Sequence, residues 1–345
     1  MRPSPSPVTL IDQGHFWTGI SRIETAEGHF ATGQMSVQYQ IPLPTEGESR
    51  LPVVLIHGGG GQGCEFWSTP DGRPGWAQFF LRQGHPIYVV DRPLHGRSPL
   101  VPSLSGALFP PLPYEQVSAM FTAPDLQKSW PQASLASQWP GSGKIGDPAL
   151  DQFMAAQGPA LADLAETQLL AAKAGSELLD RTGPAILITH SMGGPCGWAI
   201  AEARPDLVAG IVAIEPLGPP FSEPIPGLGA LLWGLTASPM QYDPGASTPS
   251  ELHGRPRKLV NLAQIPVAIL TGEASFMNEP DTLTFNFLQD AGVNVTHLKL
   301  GELDIHGNGH LPMAEKNSDD VADLIRRWMD NHCHAGSTIS KSSAS

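Results

Sequence analysis

The sequence predicts an α/β fold in which a central, mostly parallel sheet is flanked by helices. Short, continuous apolar runs recur along the chain, as in strands that are buried on both faces of a parallel sheet. Segments with helical spacing separate several of these runs. The runs end at or within three residues of small or polar residues, notably Gly58, Asp91 and Ser191. These residues are therefore expected at one edge of the sheet.

Composition limits the class of protein and its partners. The chain has 345 residues, 41% of them hydrophobic, which is enough to bury a large core as one domain. Its 33 acidic residues outnumber 20 basic ones, the net charge is −13, and no basic cluster occurs. Nucleic acid, anionic membranes and polyanionic substrates are therefore disfavoured as partners. Three cysteines without metal-type spacing argue against a disulfide scaffold, although one bridge and a homodimer stay open.

The N-terminus carries no targeting pattern. Its first seven residues, Met1-Arg-Pro-Ser-Pro-Ser-Pro, have no apolar core, and no apolar span of 18 residues follows. Neither a signal peptide nor a membrane-spanning helix is predicted. We expect a cytoplasmic protein, or a secreted one if the sequence is a trimmed mature form.

In chain order, residues 14–42 alternate apolar and polar and predict two strands of a hairpin that turns around Glu27-Gly28. Residues 51–56 predict a buried strand that leads into His57 and four consecutive glycines. A helix over 76–84 and a strand over 86–91 follow.

The glycine run fits two kinds of site. Gly58, Gly60 and Gly63 satisfy the G-x-G-x-x-G pattern of a dinucleotide site. That site needs a helix starting inside the motif, which the prolines and glycine of residues 70–74 disfavour. No lysine follows, which excludes a phosphate-binding P-loop. We therefore interpret the run as an oxyanion loop, in which the N–H of Gly59, and also that of Gly60, faces a substrate carbonyl.

Residues 99–158 are rich in proline and aromatic residues and are predicted to be an insertion that packs over the sheet edge. Helical spacing over 161–179 predicts the crossover helix that precedes the next strand.

The most informative stretch is the strand, sharp turn and helix predicted over 185–204. Ser191 stands on the turn, where the G-x-S-x-G pattern places a nucleophile, with Thr189 at the first glycine position. Glycines at 193–194 allow the helix to pass close to the strand. The N–H of Met192 is then free to face an oxyanion. A buried structural serine is the alternative interpretation.

The remaining elements repeat the pattern of strand and helix. A strand over 207–214 ends at Glu215. After it we predict a second cap insertion at 217–262, strands over 265–270 and 293–298, and a closing helix over 319–329. Residues 1–334 are expected to form one domain, and the small, polar tail at 335–345 is expected to be disordered.

The general base is sought in the segment 305–312. His306 and His310 are four residues apart, but a metal pair at that spacing needs a helix, which the intervening glycines and asparagine disfavour. A loop after the final strand suits the base of a triad instead. His310 and His306 are both candidates for that base.

The acid has two candidate positions. Glu215 ends a buried strand, where an ionised carboxylate is costly unless it is paired. The later loop offers Glu273, two residues beyond a strand and open to solvent, together with Glu279 and Asp281, which we interpret as ordinary surface carboxylates. We choose Glu215.

Several motifs together resemble the α/β-hydrolase superfamily over roughly residues 14–330. The motifs are His57 with its glycines, Asp91-Arg92-Pro93 with Gly96-Arg97-Ser98, and His190-Ser191-Met192-Gly193-Gly194. The chain is similar in particular to bacterial and fungal esterases with a His-Gly-Gly-Gly oxyanion loop, a segment like residues 69–73, a histidine loop like 305–310, and the triad acid after strand six. The resemblance implies a Ser-acid-His triad in that chain order. It also places the base at His310, before Leu311-Pro312 and a following Glu315, with His306 as the fallback.

The sequence therefore predicts a serine esterase that needs no cofactor or metal and acts on a small, neutral, hydrophobic ester. The assigned residues are Ser191, Glu215 and His310 for the triad, and Gly59, Gly60 and Met192 for the oxyanion hole. A lactone or carbon–carbon bond hydrolase with the same triad, and a non-catalytic binding protein of the same fold, are the alternatives.

Overall fold

The computed structural model describes residues 7–44, 50–101, 106–252 and 257–334. The tail expected to be disordered, 335–345, lies outside the described residues. The strands are β1 (Leu10–Thr18), β2 (Ser21–Thr25), β3 (Gly28–Thr32), β4 (Met35–Pro42), β5 (Val53–Ile56), β6 (Ile87–Asp91), β7 (Leu108–Phe109), β8 (Ala160–Leu161), β9 (Ala185–His190), β10 (Val208–Ile214), β11 (Tyr242–Asp243), β12 (Lys258–Leu259), β13 (Val267–Thr271) and β14 (Val295–Lys299). The helices are α1 (Trp76–Arg82), α2 (Tyr114–Val117), α3 (Pro148–Ala155), α4 (Leu164–Thr182), α5 (Gly193–Ala203), α6 (Asn278–Asp290) and α7 (Ser318–His332).

Eight strands form the main sheet in the order β1-β4-β6-β5-β9-β10-β13-β14. The pairs β1–β4 and β4–β6 are antiparallel, and all the other neighbours are parallel. This confirms the predicted α/β fold with a central, mostly parallel sheet. The parallel strands carry their C-terminal ends to one edge, as the motifs at those ends require.

The N-terminal region differs from the single hairpin that the alternation predicts. β1 and β4 pair with each other, but both lie in the main sheet. The turn at Glu27-Gly28 belongs to a separate small hairpin of β2 and β3. Two further breaks cause the difference, since Gly19 and Gly33 both have positive φ and end the flanking strands.

Two apolar cores cover the two faces of the sheet. Alternate residues of β5 point to opposite cores, with Leu55 in one and Val54 in the other. Helices α1 and α7 cover the first face, and α4, α5 and α6 cover the second. This explains why the strands have continuous apolar runs instead of alternation.

Two further findings bear on the sequence predictions. Cys64, Cys196 and Cys333 are free thiols. Across the four described ranges, no helix is both long enough and apolar enough to cross a membrane.

Candidate active site

Ser191 stands on a sharp turn between β9 and α5. Its φ is 49°, in the left-handed region that is uncommon for a residue with a side chain. Backbone hydrogen bonds hold the turn, because Ser191 N–H donates to Ile214 O at 3.0 Å and Leu217 N–H donates to Ser191 O at 2.9 Å. A Cβ at Gly193 would lie 2.6 Å from His57 O, so glycine there lets the helix pass close to the end of β5, the neighbour of β9, and not to β9 itself as predicted.

Glu215 follows β10 directly and is fully buried. It also has a positive φ, 44°, and its N–H donates to Leu270 O on β13 at 3.0 Å. Its Oε1 accepts a hydrogen bond from Gly272 N–H at 2.7 Å, and Oε2 accepts one from Ser275 Oγ–H at 2.6 Å. The carboxylate is therefore fixed by donors on the loop after β13.

The same carboxylate holds the ring of His310. His310 Nδ1–H donates to Glu215 Oε2 at 2.5 Å, which leaves Nε2 as the proton acceptor. The ring packs against both Phe121 and Phe276, with centroid distances of 5.1 and 4.9 Å. His190 Nε2–H donates to His310 O at 2.8 Å and fixes the backbone.

Burial governs the protonation of this pair. It lowers the pKa of His310 from its ordinary value and raises the pKa of Glu215, while the donors Ser275 and Gly272 oppose the second effect. Burial also lowers the pKa of His190, so that ring is neutral and has an Nε2–H to donate. The His310 imidazole is thus neutral near pH 7, as a base must be.

The residues predicted for the oxyanion hole are brought together beside Ser191. A Cβ at Gly59 would lie 2.3 Å from Met192 Sδ, and one at Gly58 would lie 3.2 Å from Ser191 Cβ. The N–H groups of Gly59, Gly60 and Met192 donate to no acceptor in the described part of the chain. Ser191 Oγ likewise has no hydrogen-bond partner among those residues, and it lines the same cavity as His310. Hydrogen bonds of this kind often form only when substrate binds.

A buried arginine positions the glycine loop. Arg92 is 0% exposed, and its Nη2 donates to Gly58 O at 2.7 Å. His57 Nδ1–H donates to the same carbonyl at 2.8 Å, and His57 Nε2 accepts from Arg92 N–H at 2.9 Å. Because two donors hold the carbonyl of Gly58, which shares a planar peptide with the Gly59 N–H, the direction of that N–H is fixed as well. This role was not predicted from the sequence, although a charged residue directly after a buried strand was a usable signal.

Hydrogen bonds to Glu315 hold the loop of residues 305–311, which carries His310. Glu315 is buried and accepts hydrogen bonds from Asn308 Nδ2–H at 2.6 Å and from Gly309 N–H at 2.7 Å. Arg73 Nη2 donates to Glu315 O at 2.9 Å, and Arg73 Nε pairs with Asp71 Oδ2 at 2.7 Å. The segment 69–73 is therefore a support for the loop that carries His310.

The alternative base and acids lie elsewhere. His306 is exposed and pairs through Nδ1 with Glu273 Oε1 at 3.0 Å, away from Ser191. Glu279 is exposed, as expected. For Asp281 the surface interpretation is wrong, because the residue is 0% exposed and accepts a hydrogen bond from Thr271 Oγ1 at 2.6 Å. The N-terminal turns of α6 pack back against β13, which the residue pattern did not indicate.

Among the described residues, no group of three or more His, Cys, Asp or Glu could hold a metal ion.

A cavity of about 500 Å³ opens onto these groups. Ser191, His310, Met192 and the glycine loop line one part of it. Its apolar walls come mainly from the two insertions and the β13–α6 loop, including Phe109, Leu112, Val117, Met120, Phe121, Leu217, Ile225, Leu228 and Phe276. The lining residues include no lysine or arginine among those described.

Comparison with known proteins gives three findings. A family model described as alpha/beta hydrolase fold matches residues 52–232. A protein of Fungal sp. (strain ATCC 74256), named a probable secreted lipase, is 40% identical over 307 residues, which cover 83% of this chain and 84% of that protein. The solved structure of a novel bacterial esterase superposes with a TM-score of 0.67 at 24% identity, covering 96% of this chain and 99% of that one.

The comparison also corrects the expected location. A cytoplasmic protein was expected because the N-terminus lacks a signal pattern. That expectation is contradicted by the fungal relative, which is named a probable secreted lipase and points to secretion instead.

Proposed function

Because the chain belongs to the α/β-hydrolase fold family and is a hydrolase of its esterase and lipase type, we propose that it hydrolyses carboxylic esters with a triad of Ser191, Glu215 and His310. The observation that carries the proposal is the 2.5 Å contact of His310 Nδ1 with Glu215 Oε2, beside the cavity that Ser191 and His310 line together. The buried acid, the oriented imidazole and the serine on a strained turn have the order and chemistry of a serine hydrolase triad.

In the proposed reaction, Ser191 Oγ attacks the ester carbonyl carbon while His310 Nε2 takes the hydroxyl proton. The carbonyl oxygen becomes an oxyanion and is stabilised by the N–H groups of Met192 and Gly59, with Gly60 next in the loop. The bond to the leaving oxygen breaks as His310 returns the proton to it, which releases the alcohol. Water, deprotonated by His310, then attacks the acyl carbon. The bond to Ser191 Oγ breaks as His310 returns the proton to Oγ, which releases the acid and restores the serine.

The substrate is proposed to be a small, neutral ester with a substantial apolar part. The cavity walls are largely apolar and contain no lysine or arginine among the described residues, so a carboxylate on the substrate would have no permanently cationic partner. The insertions at 99–158 and 217–262 are proposed to form a cap on a single domain, since Phe121 and Leu228 within them line the cavity. We also propose that the protein is secreted, as the name of its fungal relative says of that protein.

The test is the kinetics of Ser191→Ala on short p-nitrophenyl esters. Only the covalent step is lost, so kcat should fall by roughly 10⁴-fold or more while the Tm stays close to that of the wild type. A variant that keeps a rate within about tenfold of the wild type would refute the nucleophile assignment.

A further inference from the structure

The cavity has a polar part that the triad and the oxyanion donors do not use. Apart from the proposed catalytic residues and His190, its polar side chains are Glu65, Gln116 and Gln157. Glu65 is the only one of these three that can ionise. Burying a carboxyl group in a mostly apolar pocket is costly without a hydrogen-bond partner. Glu65 must therefore be bonded either to the protein itself or to a ligand.

Among the described residues, hydrogen bonds within the protein satisfy only one of the two carboxyl oxygens of Glu65. Glu65 Oε1 accepts hydrogen bonds from Gln62 N–H at 3.4 Å and from Gln157 Nε2–H at 3.3 Å. Both distances are long for hydrogen bonds of this kind. Oε2 has no hydrogen-bond partner within the described ranges and is not sealed inside the protein. One oxygen of Glu65 is therefore available to a molecule in the cavity.

The glycine loop connects Glu65 to the nucleophile. At one end of the loop, a Cβ at Gly58 would lie 3.2 Å from Ser191 Cβ. At the other end, a Cβ at Gly61 would lie 2.2 Å from Glu65 Oε1, so only glycine leaves room for the carboxyl group. Three steps along the chain, at most about 11 Å, separate these two glycines. A substrate whose carbonyl lies at Ser191 and whose chain follows this loop reaches Glu65 with a distal atom.

The protonation of Glu65 indicates which group suits it. Burial raises its pKa to about 7, so both the acid and the carboxylate are populated near neutral pH. A hydroxyl group donates and accepts, and it therefore satisfies either form. An ammonium group would require two charges in an apolar pocket, and an alkyl group would leave Oε2 unpaired.

We propose that Glu65, assisted by Gln157, forms a subsite that binds a hydroxyl group on the ester substrate, away from the scissile carbonyl. The substrate class is thus an ester with a hydroxylated apolar chain. This inference rests on the proposed esterase function, because it assumes that the carbonyl is placed at Ser191.

The experiment compares matched esters that differ only by one hydroxyl group. In the first set, p-nitrophenyl esters of hydroxylated alkanoic acids of increasing length are paired with the plain p-nitrophenyl alkanoates. In the second set, alkyl esters with a hydroxyl group on the alcohol part are paired with the plain alkyl esters. For the wild type, kcat/KM for the hydroxylated member should exceed that of the plain member by about tenfold or more at one chain length, since a site built to bond a hydroxyl rejects an analogue that lacks it.

Two substitutions assign that preference to its residue. Glu65→Met removes both carboxyl oxygens at similar size and should bring the ratio close to one, whereas Glu65→Gln keeps a donor and an acceptor and should retain most of it. Gln116→Met is the matched control for a polar lining residue outside the pair. Because each ratio is measured on a single variant, loss of folded protein cancels from it.

The outcomes separate the two proposals. If the wild type hydrolyses plain esters but shows no preference for any hydroxylated member, the subsite is refuted and the esterase function stands. If the preference survives in Glu65→Met, or is lost in Gln116→Met instead, the assignment to Glu65 is overturned. If the wild type hydrolyses no ester of either set, the proposed function itself fails, and the subsite with it.

Discussion

Ser191 and Glu215 both stand in the left-handed backbone region, directly after adjacent strands. Each such conformation costs on the order of 1–3 kcal/mol unless glycine adopts it. Neighbouring strand ends offset that cost here, because Ser191 N–H bonds to Ile214 O and Glu215 N–H bonds to Leu270 O. The same hydrogen bonds fix where each side chain emerges. The strained backbone at these two positions therefore helps to place the two side chains at the edge of the sheet.

The assignment of Glu215 as the acid gives a prediction at this scale. Glu215→Gln keeps the shape of the side chain but removes the charge that stabilises His310 when it takes a proton. We expect kcat to fall by about 10²- to 10⁴-fold in steady-state assays on p-nitrophenyl esters.

Glu273→Gln is the matched control, because Glu273 pairs with the exposed His306 instead. Its kcat should stay within about threefold of the wild type. If Glu215→Gln is nearly as active as the wild type while Glu273→Gln or Asp281→Asn is inactive, the acid lies on the later loop.

Among the elements, the loop from Ile305 to Leu311 is held by partners that lie outside it. Glu315 accepts hydrogen bonds from Asn308 Nδ2–H and Gly309 N–H, and Arg73 Nη2 donates to the backbone oxygen of Glu315. The loop has no regular structure of its own, so these hydrogen bonds determine the position of His310.

Burial of Glu315 beside this loop makes the stability of the folded protein depend on pH. Burial raises the pKa of Glu315 from 4.5 to about 7, so the folded protein retains a proton that the unfolded chain loses near pH 4.5. The stability that this proton contributes is complete below pH 4.5 and is lost as the pH rises through 7. A shift of this size corresponds to at most about 3 kcal/mol.

Glu315→Gln cannot ionise and should lack this dependence. The free energy of unfolding of the wild type, measured by urea denaturation relative to that of the variant, should decrease between pH 4.5 and pH 8. A difference that stays constant across this range would show that Glu315 does not hold a buried proton.

At the scale of the whole molecule, the net negative charge should lower the activity towards anionic esters relative to neutral ones. The net charge is −13, and the cavity lining contains no lysine or arginine among the described residues. An anionic ester is therefore repelled at long range, and salt screens that repulsion.

Raising NaCl from about 20 mM to about 300 mM shortens the Debye length from roughly 20 Å to about 6 Å. The ratio of kcat/KM for a succinate half-ester to that for a neutral ester of equal length should rise several-fold. The neutral ester controls for the effect of salt on apolar binding. A falling ratio would reveal an attractive cationic feature near the cavity.

Much of this architecture could be predicted, because strand ends and glycine runs leave local signals. The elbow at Ser191, the glycine loop and Glu215 at the end of a buried strand were all visible in the sequence. Partners contributed by distant loops were not. Ser275 contacts Glu215 across 60 residues of sequence, and nothing in the local sequence of Ser275 marks it. Asp281 was misjudged because its burial depends on how α6 packs, not on its neighbours in the chain.

The most direct test of the proposed triad is labelling with a fluorophosphonate, followed by intact-mass and peptide mass spectrometry. A neutral base at His310 and free N–H groups at Gly59 and Met192 should make one serine reactive. We predict one adduct per chain, located on Ser191, absent from Ser191→Ala and strongly slowed in Glu215→Gln. A wild-type protein that takes up no label, or takes it up on another residue, would contradict the proposed triad.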